Sequence, residues 1–129
     1  MESAMEGTIL VIEDEEDILA LLSDVLRSEG YNVVTALNGR EGIQQFQEHN
    51  PDLVITDVKM PRKDGLGVLR DIKATGSDVD VIILTGHSDE ATAIDCLRAG
   101  AYDYLLKPLE ELAVMLSSVE RAFYKRTLE

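Results

Sequence analysis

Leu53-Val54-Ile55-Thr56-Asp57-Val58-Lys59-Met60-Pro61-Arg62-Lys63-Asp64-Gly65 is the stretch that decides the fold. Leu53 to Thr56 is a short apolar and β-branched run, the pattern of a strand buried on both faces. It ends on an acid, Asp57, and gives way to a loop bounded by Pro61 and Gly65. The proline restricts the backbone once the loop has begun, and the glycine permits a bend that bulkier residues resist. Beyond the loop Leu66, Leu69 and Ile72 recur at helical spacing, with Gly76 after them. A buried strand, a tight turn and an amphipathic helix make one βα unit.

The same unit recurs on either side. Thr8 to Ile12 predicts a strand, and Ile18, Leu21, Leu22, Val25 and Leu26 the inner stripe of a helix stopped by Gly30. Tyr31 to Ala36 predicts the second strand. Asn38-Gly39 then turns the chain into a helix that buries Ile43 and Phe46 and ends before Asn50-Pro51. Val79 to Leu84 is the most continuous apolar run and predicts the fourth strand. Ser88 or Asp89 would cap the next helix, with Ala91, Ile94, Leu97 and Ala99 facing inward and Gly100 as the stop. Tyr102 to Leu106 predicts the fifth strand, and Leu112, Met115, Leu116, Val119 and Phe123 the stripe of a last, long helix. Strands alternating with helices at this spacing imply right-handed crossovers and a parallel sheet covered on both faces. The stretch from Tyr124 to Glu129 runs past that stripe, as a frayed tail or the start of a linker.

Composition bounds the function. A chain of 129 residues that is 45% hydrophobic suits one domain with a real core. Its formal net charge of −13 carries no basic stripe of the kind a phosphate-backbone reader needs, so nucleic-acid binding by this segment is not expected. Cys96 is the one cysteine, so no internal disulfide can form. The absence of a long apolar span and the acidic start Met1-Glu2-Ser3-Ala4-Met5-Glu6 point to a cytoplasmic protein with no membrane segment.

In an open α/β sheet, chemistry gathers outside the carboxyl ends of the strands. Four segments meet there: Glu13-Asp14-Glu15-Glu16-Asp17, Asp57, Thr85, and Lys107-Pro108. Glu15, Glu16 and Asp17 read most simply as solvated carboxylates favoured by a helix N-terminus. Glu13 and Asp14 directly follow a buried strand and would lie close to Asp57. At about 4 Å each like-charge pair costs roughly 1 to 4 kcal/mol, which a divalent cation between them would offset. Mg²⁺ suits carboxylates, waters and a phosphate oxygen. A zinc site would want His and Cys ligands, and His49, His87 and Cys96 lack the spacing. Beside Mg²⁺, the Asp57 carboxylate can take a phosphoryl group as an acyl phosphate. Lys107 can neutralise phosphoryl charge or form a plain ion pair with Asp57 or Asp14. Thr85 either ends its strand or donates its hydroxyl to a phosphoryl oxygen. Tyr104 either packs or moves between buried and exposed positions.

With Ile9-Leu10-Val11-Ile12-Glu13-Asp14-Glu15, residues 57–65, Leu84-Thr85-Gly86, Ala99-Gly100-Ala101-Tyr102-Asp103-Tyr104 and Lys107-Pro108 in this order, the chain resembles the receiver domain of bacterial two-component response regulators. The resemblance implies a receiver domain over residues 7–124, with 125–129 a tail or the start of a linker to an output domain. It implies a flavodoxin-like α/β fold: a five-stranded parallel sheet of order 2-1-3-4-5 with helices on both faces. Asp57 would accept a phosphoryl group from a sensor histidine kinase or a histidine phosphotransfer protein. Asp14 and Asp57 would bind Mg²⁺ by side chain, Lys59 by its backbone carbonyl, and Glu13 directly or through water. Lys107 would contact the phosphoryl group, Thr85 would swing toward it, and Tyr104 would fill the space vacated. That motion would remodel the surface of the fourth helix, fifth strand and fifth helix. Lys59 and His87 occupy positions that tune phosphate lifetime in this family, and the first helix is where signal specificity usually lies; Ile18, Leu19 and Leu22 could supply partner contacts there, though most of the three read as core. Glu13 departs from the commoner Asp, and Leu109 from the usual Phe after Lys-Pro. Such a domain promotes its own phosphoryl transfer and dephosphorylation without turning over an external substrate, as a monomer or a phosphorylation-dependent dimer. An aspartyl phosphatase would carry an Asp where Lys59 stands, and the acids at 13–17 would repel a flavin phosphate. A receiver-like docking module that is never phosphorylated would usually lack one of Asp14, Asp57, Thr85 or Lys107.

Overall fold

The structure, a computed structural model, describes residues 7–86, 90–107 and 112–128. Five strands alternate with five helices: β1 (Thr8–Ile12), α1 (Glu16–Ser28), β2 (Asn32–Ala36), α2 (Gly39–His49), β3 (Leu53–Asp57), α3 (Gly65–Ala74), β4 (Asp80–Thr85), α4 (Glu90–Arg98), β5 (Asp103–Leu106) and α5 (Leu112–Leu128). All neighbouring strands pair in parallel, in the order β2-β1-β3-β4-β5. This is the expected flavodoxin-like arrangement, and strand boundaries shift by one residue at most from the sequence reading. The proposed caps Ser88 and Asp89, together with His87, Pro108, Leu109 and the acidic N-terminal residues 1–6, lie outside the described residues.

Alternation along each strand splits the core in two, because successive side chains point to opposite faces. Ile9, Val11, Leu53, Ile55, Ile82, Leu84 and Leu105 face one side and pack with Leu19, Leu22 and Leu26 of α1 and Met115 and Val119 of α5. Leu10, Ile12, Val54, Val81 and Ile83 face the other and pack with Phe46 of α2, Val68, Leu69 and Ile72 of α3, and Cys96 of α4. Two covered faces explain why β1, β3 and β4 are apolar almost throughout.

Helix ends follow local chemistry. The Asn38 side chain accepts the Glu41 N–H at 2.8 Å, and the Asp64 side chain accepts the Gly67 N–H at 2.8 Å, each satisfying a free donor of the first turn. Helices α1 and α4 both stop in a left-handed glycine, Gly30 (φ 97°) and Gly100 (φ 110°). In each, the next residue's N–H reaches back to close the last turn, Tyr31 to the Leu26 carbonyl and Ala101 to that of Cys96.

Two expectations are corrected. The inward face of α4 is Ala93 and Cys96, both fully buried, while Ile94 is 44% exposed and Ala91 is exposed. Small side chains let this helix approach the sheet closely, so the bulky residue is turned outward. On α1, Leu21, read as inward, is 45% exposed; Leu19 and Leu22 are core residues, the role read for most of the possible docking side chains, and Ile18 is half-buried against the same cluster. Helix α5 continues without a break to Leu128. Its end is tied to the sheet by Lys125–Asp80 at 2.9 Å and Arg126–Asp78 at 3.8 Å.

Candidate functional site

The strand tips of β1, β3, β4 and β5 end side by side. Asp57 is in register with Leu84, Thr85 is in register with Leu106, and the Lys107 N–H donates to the Thr85 carbonyl at 2.7 Å. Glu13 and Asp14 leave the tip of β1, and the Glu13 N–H donates to the Ala36 carbonyl at 3.0 Å. Glu13, Asp14 and Asp57 each present a carboxylate oxygen, and the three lie within 4.8 Å of one another. Glu13 is completely buried and Asp57 nearly so, whereas Asp14 is exposed. The pocket is therefore acidic on its floor and open on one side.

One cation serves three acids. The Lys107 ammonium donates to Asp57 Oδ2 at 3.1 Å, to Glu15 Oε1 at 3.1 Å and to Glu13 Oε1 at 3.3 Å. Asp14, offered as an alternative partner, is not among its contacts. Glu15, read in the sequence as a solvated acid, is brought into the group by its contact with Lys107. The signal was its place one residue beyond Asp14, where the backbone turns into α1 and its N–H donates to Glu13 Oε2 at 3.1 Å.

Electrostatics at the floor are strained in a definite direction. Burial pushes the Glu13 carboxyl up to about 7, with the Asp57 charge adding to it; the Glu15 N–H and Lys107 oppose the rise. Burial also works against the Lys107 ammonium. Its hydrogen bonds to Asp57 and Glu15 and the charges of Asp57 and Glu13 outweigh that, and hold its pKa above the ordinary lysine range.

The β3–α3 loop frames Asp57. The Val58 N–H donates to the Leu84 carbonyl at 2.9 Å, and the Gly65 N–H to the Val58 carbonyl at 2.8 Å. A Cβ on Gly65 would sit 2.5 Å from the Asp57 carbonyl oxygen, so only glycine lets α3 begin this close to the strand tip. Between them Lys63 donates to the Pro61 carbonyl at 2.8 Å around Arg62, whose φ of 74° belongs to the rare, strained three-residue turn.

The remaining candidates divide. Thr85 is fully buried at the tip of β4, and its hydroxyl donates to the Gly86 carbonyl at 3.1 Å rather than to the acidic group. Tyr104 is half-buried against the core beneath α4. Lys59 is exposed at the start of the loop, and His87 lies outside the described residues.

Residues 9–119 match the model of the response regulator receiver domain. The transcriptional regulatory protein ZraR of Escherichia coli (strain K12) is 42% identical over 102 residues, which are 79% of this chain but only 23% of ZraR. The transcriptional regulatory protein PrrA of Mycobacterium tuberculosis (strain ATCC 25618 / H37Rv) is 37% identical over 115 residues, 88% of this chain and 49% of PrrA. This chain thus spans about a quarter to a half of such regulators. A solved response regulator receiver domain protein from Clostridium thermocellum superposes with a TM-score of 0.89 at 39% identity, covering 95% of this chain and 98% of that one. A family match over most of the chain, a near-complete structural likeness and an acidic group at the expected strand tips agree: this chain belongs to the receiver domains of two-component response regulators.

Proposed function

We propose that Asp57 accepts a phosphoryl group from a phosphohistidine on a sensor histidine kinase or phosphotransfer protein, and that the domain is a phosphorylation-dependent switch. The observation that carries this reading is the Asp57 carboxylate, held at a strand tip by Lys107 with two further acids in reach. An all-oxygen donor set, one of whose acids is buried and disfavoured as a bare anion, fits a hard divalent cation. Asp14 and Asp57 would hold Mg²⁺ by side chain, Lys59 by its backbone carbonyl, and Glu13 directly or through water. Bound there, Mg²⁺ would supply charge neutralisation for the phosphoryl oxygens.

The chain's own residues do the rest. Asp57 is the nucleophile, aimed by its hydrogen bond to Lys107. The ammonium of Lys107 meets the negative charge that the phosphoryl group brings, in a pocket where water screens it little. Thr85 turns its hydroxyl from Gly86 to the phosphoryl group, and Tyr104 moves inward behind it. The affected surface spans α4, β5 and α5, where Ile94, Leu106 and Val114 already expose apolar area to a partner or an output domain. Lys59 and His87 set the lifetime of the acyl phosphate by controlling access of water. The domain catalyses its own modification and has no external substrate.

Incubation with acetyl phosphate and Mg²⁺ followed by intact mass tests the reading. The expected result is one labile phosphoryl group, absent without Mg²⁺ and absent in Asp57→Ala. A protein that gains no mass under any condition would instead be a receiver-like docking module.

A further inference from the structure

We infer that Glu15 is a positioning residue for the acceptor site, holding Lys107 at the mouth of the pocket and opposing anionic phosphodonors; the inference rests on the phosphoacceptor reading of Asp57. Lys107 Nζ stands 3.1 Å from both Glu15 Oε1 and Asp57 Oδ2, so the two acids share it equally. Their surroundings differ: the Asp57 side chain is 8% exposed and the Glu15 side chain 62% exposed. Glu15 therefore holds the ammonium from the solvent side, where a donor must enter.

That arrangement has two consequences of the same sign. A phosphodonor approaching Asp57 meets the Glu15 carboxylate beside the cation that should greet it. The ammonium is also partly neutralised until Glu15 releases it. In the transfer, an Asp57 carboxylate oxygen bonds to phosphorus as the bond from phosphorus to the leaving oxygen breaks, and acetate departs with the electron pair. No proton has to move. The step brings anionic oxygens against Lys107, so the partner surrendered is the exposed one, Glu15. A small anion carries no contacts that offset this loss, whereas a docked protein donor can. Glu15 would thus bias the switch against adventitious phosphorylation by metabolite-sized donors.

The test compares the parent, Glu15→Gln and Glu15→Asp at saturating Mg²⁺, with acetyl phosphate (a dianion) and phosphoramidate (of lower charge) as donors. Glu15→Gln should phosphorylate roughly 3- to 10-fold faster with acetyl phosphate at low salt, the size set by about 1 kcal/mol for one like-charge pair at close range in water. The gain should shrink toward unity near ~1 M salt, where the Debye length is only about 3 Å. It should be smaller with phosphoramidate, and Glu15→Asp, which keeps the charge, should stay near the parent. A change equal for both donors at every salt concentration would mean a structural effect only and overturn the inference. So would no change in a parent that phosphorylates normally. A parent that takes no phosphoryl group from either donor would overturn the phosphoacceptor reading itself, and the inference with it.

Discussion

Glu13 is the residue whose chemistry is most exposed to experiment. Its folded-state pKa of about 7 lies above its ordinary value of 4.5, so its contribution to stability is full below pH 4.5 and is lost as pH rises through 7. In EDTA, Glu13→Gln should therefore melt higher than the parent at pH 8, with the advantage gone at pH 4.5. Thermal melts across that range check this, and an advantage that is constant with pH would contradict it. Lys107 is the complementary case. Its removal leaves Asp57 intact but strips the cation from the pocket, so Lys107→Ala should lower the phosphorylation rate by about 10²-fold or more, measured as single-turnover mass gain. Most of this site was legible in the sequence because each acid or amine directly follows an apolar run, and a buried strand can end on a charge only at its exposed tip. Glu15 was not legible in the same way. Five acids in a row look alike on paper, and only the turn from β1 into α1 decides which of them faces Lys107.

At the scale of elements, the β3–α3 unit carries both a core strand and the frame of the site. Ile55 is fully buried between α1 and α5, and Ile55→Ala should cost about 2–5 kcal/mol in chemical denaturation. Gly65→Ala should be as damaging by another route. The added methyl meets the backbone of Asp57, which no rotamer change can relieve. The variant should lose stability and phosphorylation together, while Gly76→Ala, with open space around its Cβ, should lose only what its positive φ demands. Strands and most helices could be read in advance because two-sided burial writes continuous apolar runs, and glycine and asparagine mark the helix ends. Helix α4 could not. Its two alanines, Ala91 and Ala93, lie on opposite sides, one exposed and one buried, so counting large apolar residues assigned Ile94 to the core that Ala93 and Cys96 fill. Close packing on the sheet selects small residues, and a count of large apolar ones points the wrong way.

Across the whole molecule, folding gathers acids at one edge of the sheet at an electrostatic cost, and a cation that binds only the folded state should repay it. Mg²⁺ at about 100 times its dissociation constant should stabilise the domain by roughly 2.7 kcal/mol, seen as a rise in Tm that Asp14→Ala largely abolishes. An unshifted Tm at millimolar Mg²⁺ would contradict the proposed site. The opposite edge is held by ion pairs from α5 to Asp78 and Asp80. Whether Asp57 itself receives the phosphoryl group is decided at the level of the residue by borohydride trapping. An acyl phosphate is reduced to an alcohol, so protein treated with phosphodonor and Mg²⁺ and then reduced should yield a peptide with homoserine at position 57. An unmodified Asp57 peptide from protein that has gained phosphoryl mass, or homoserine at another position, would contradict the account.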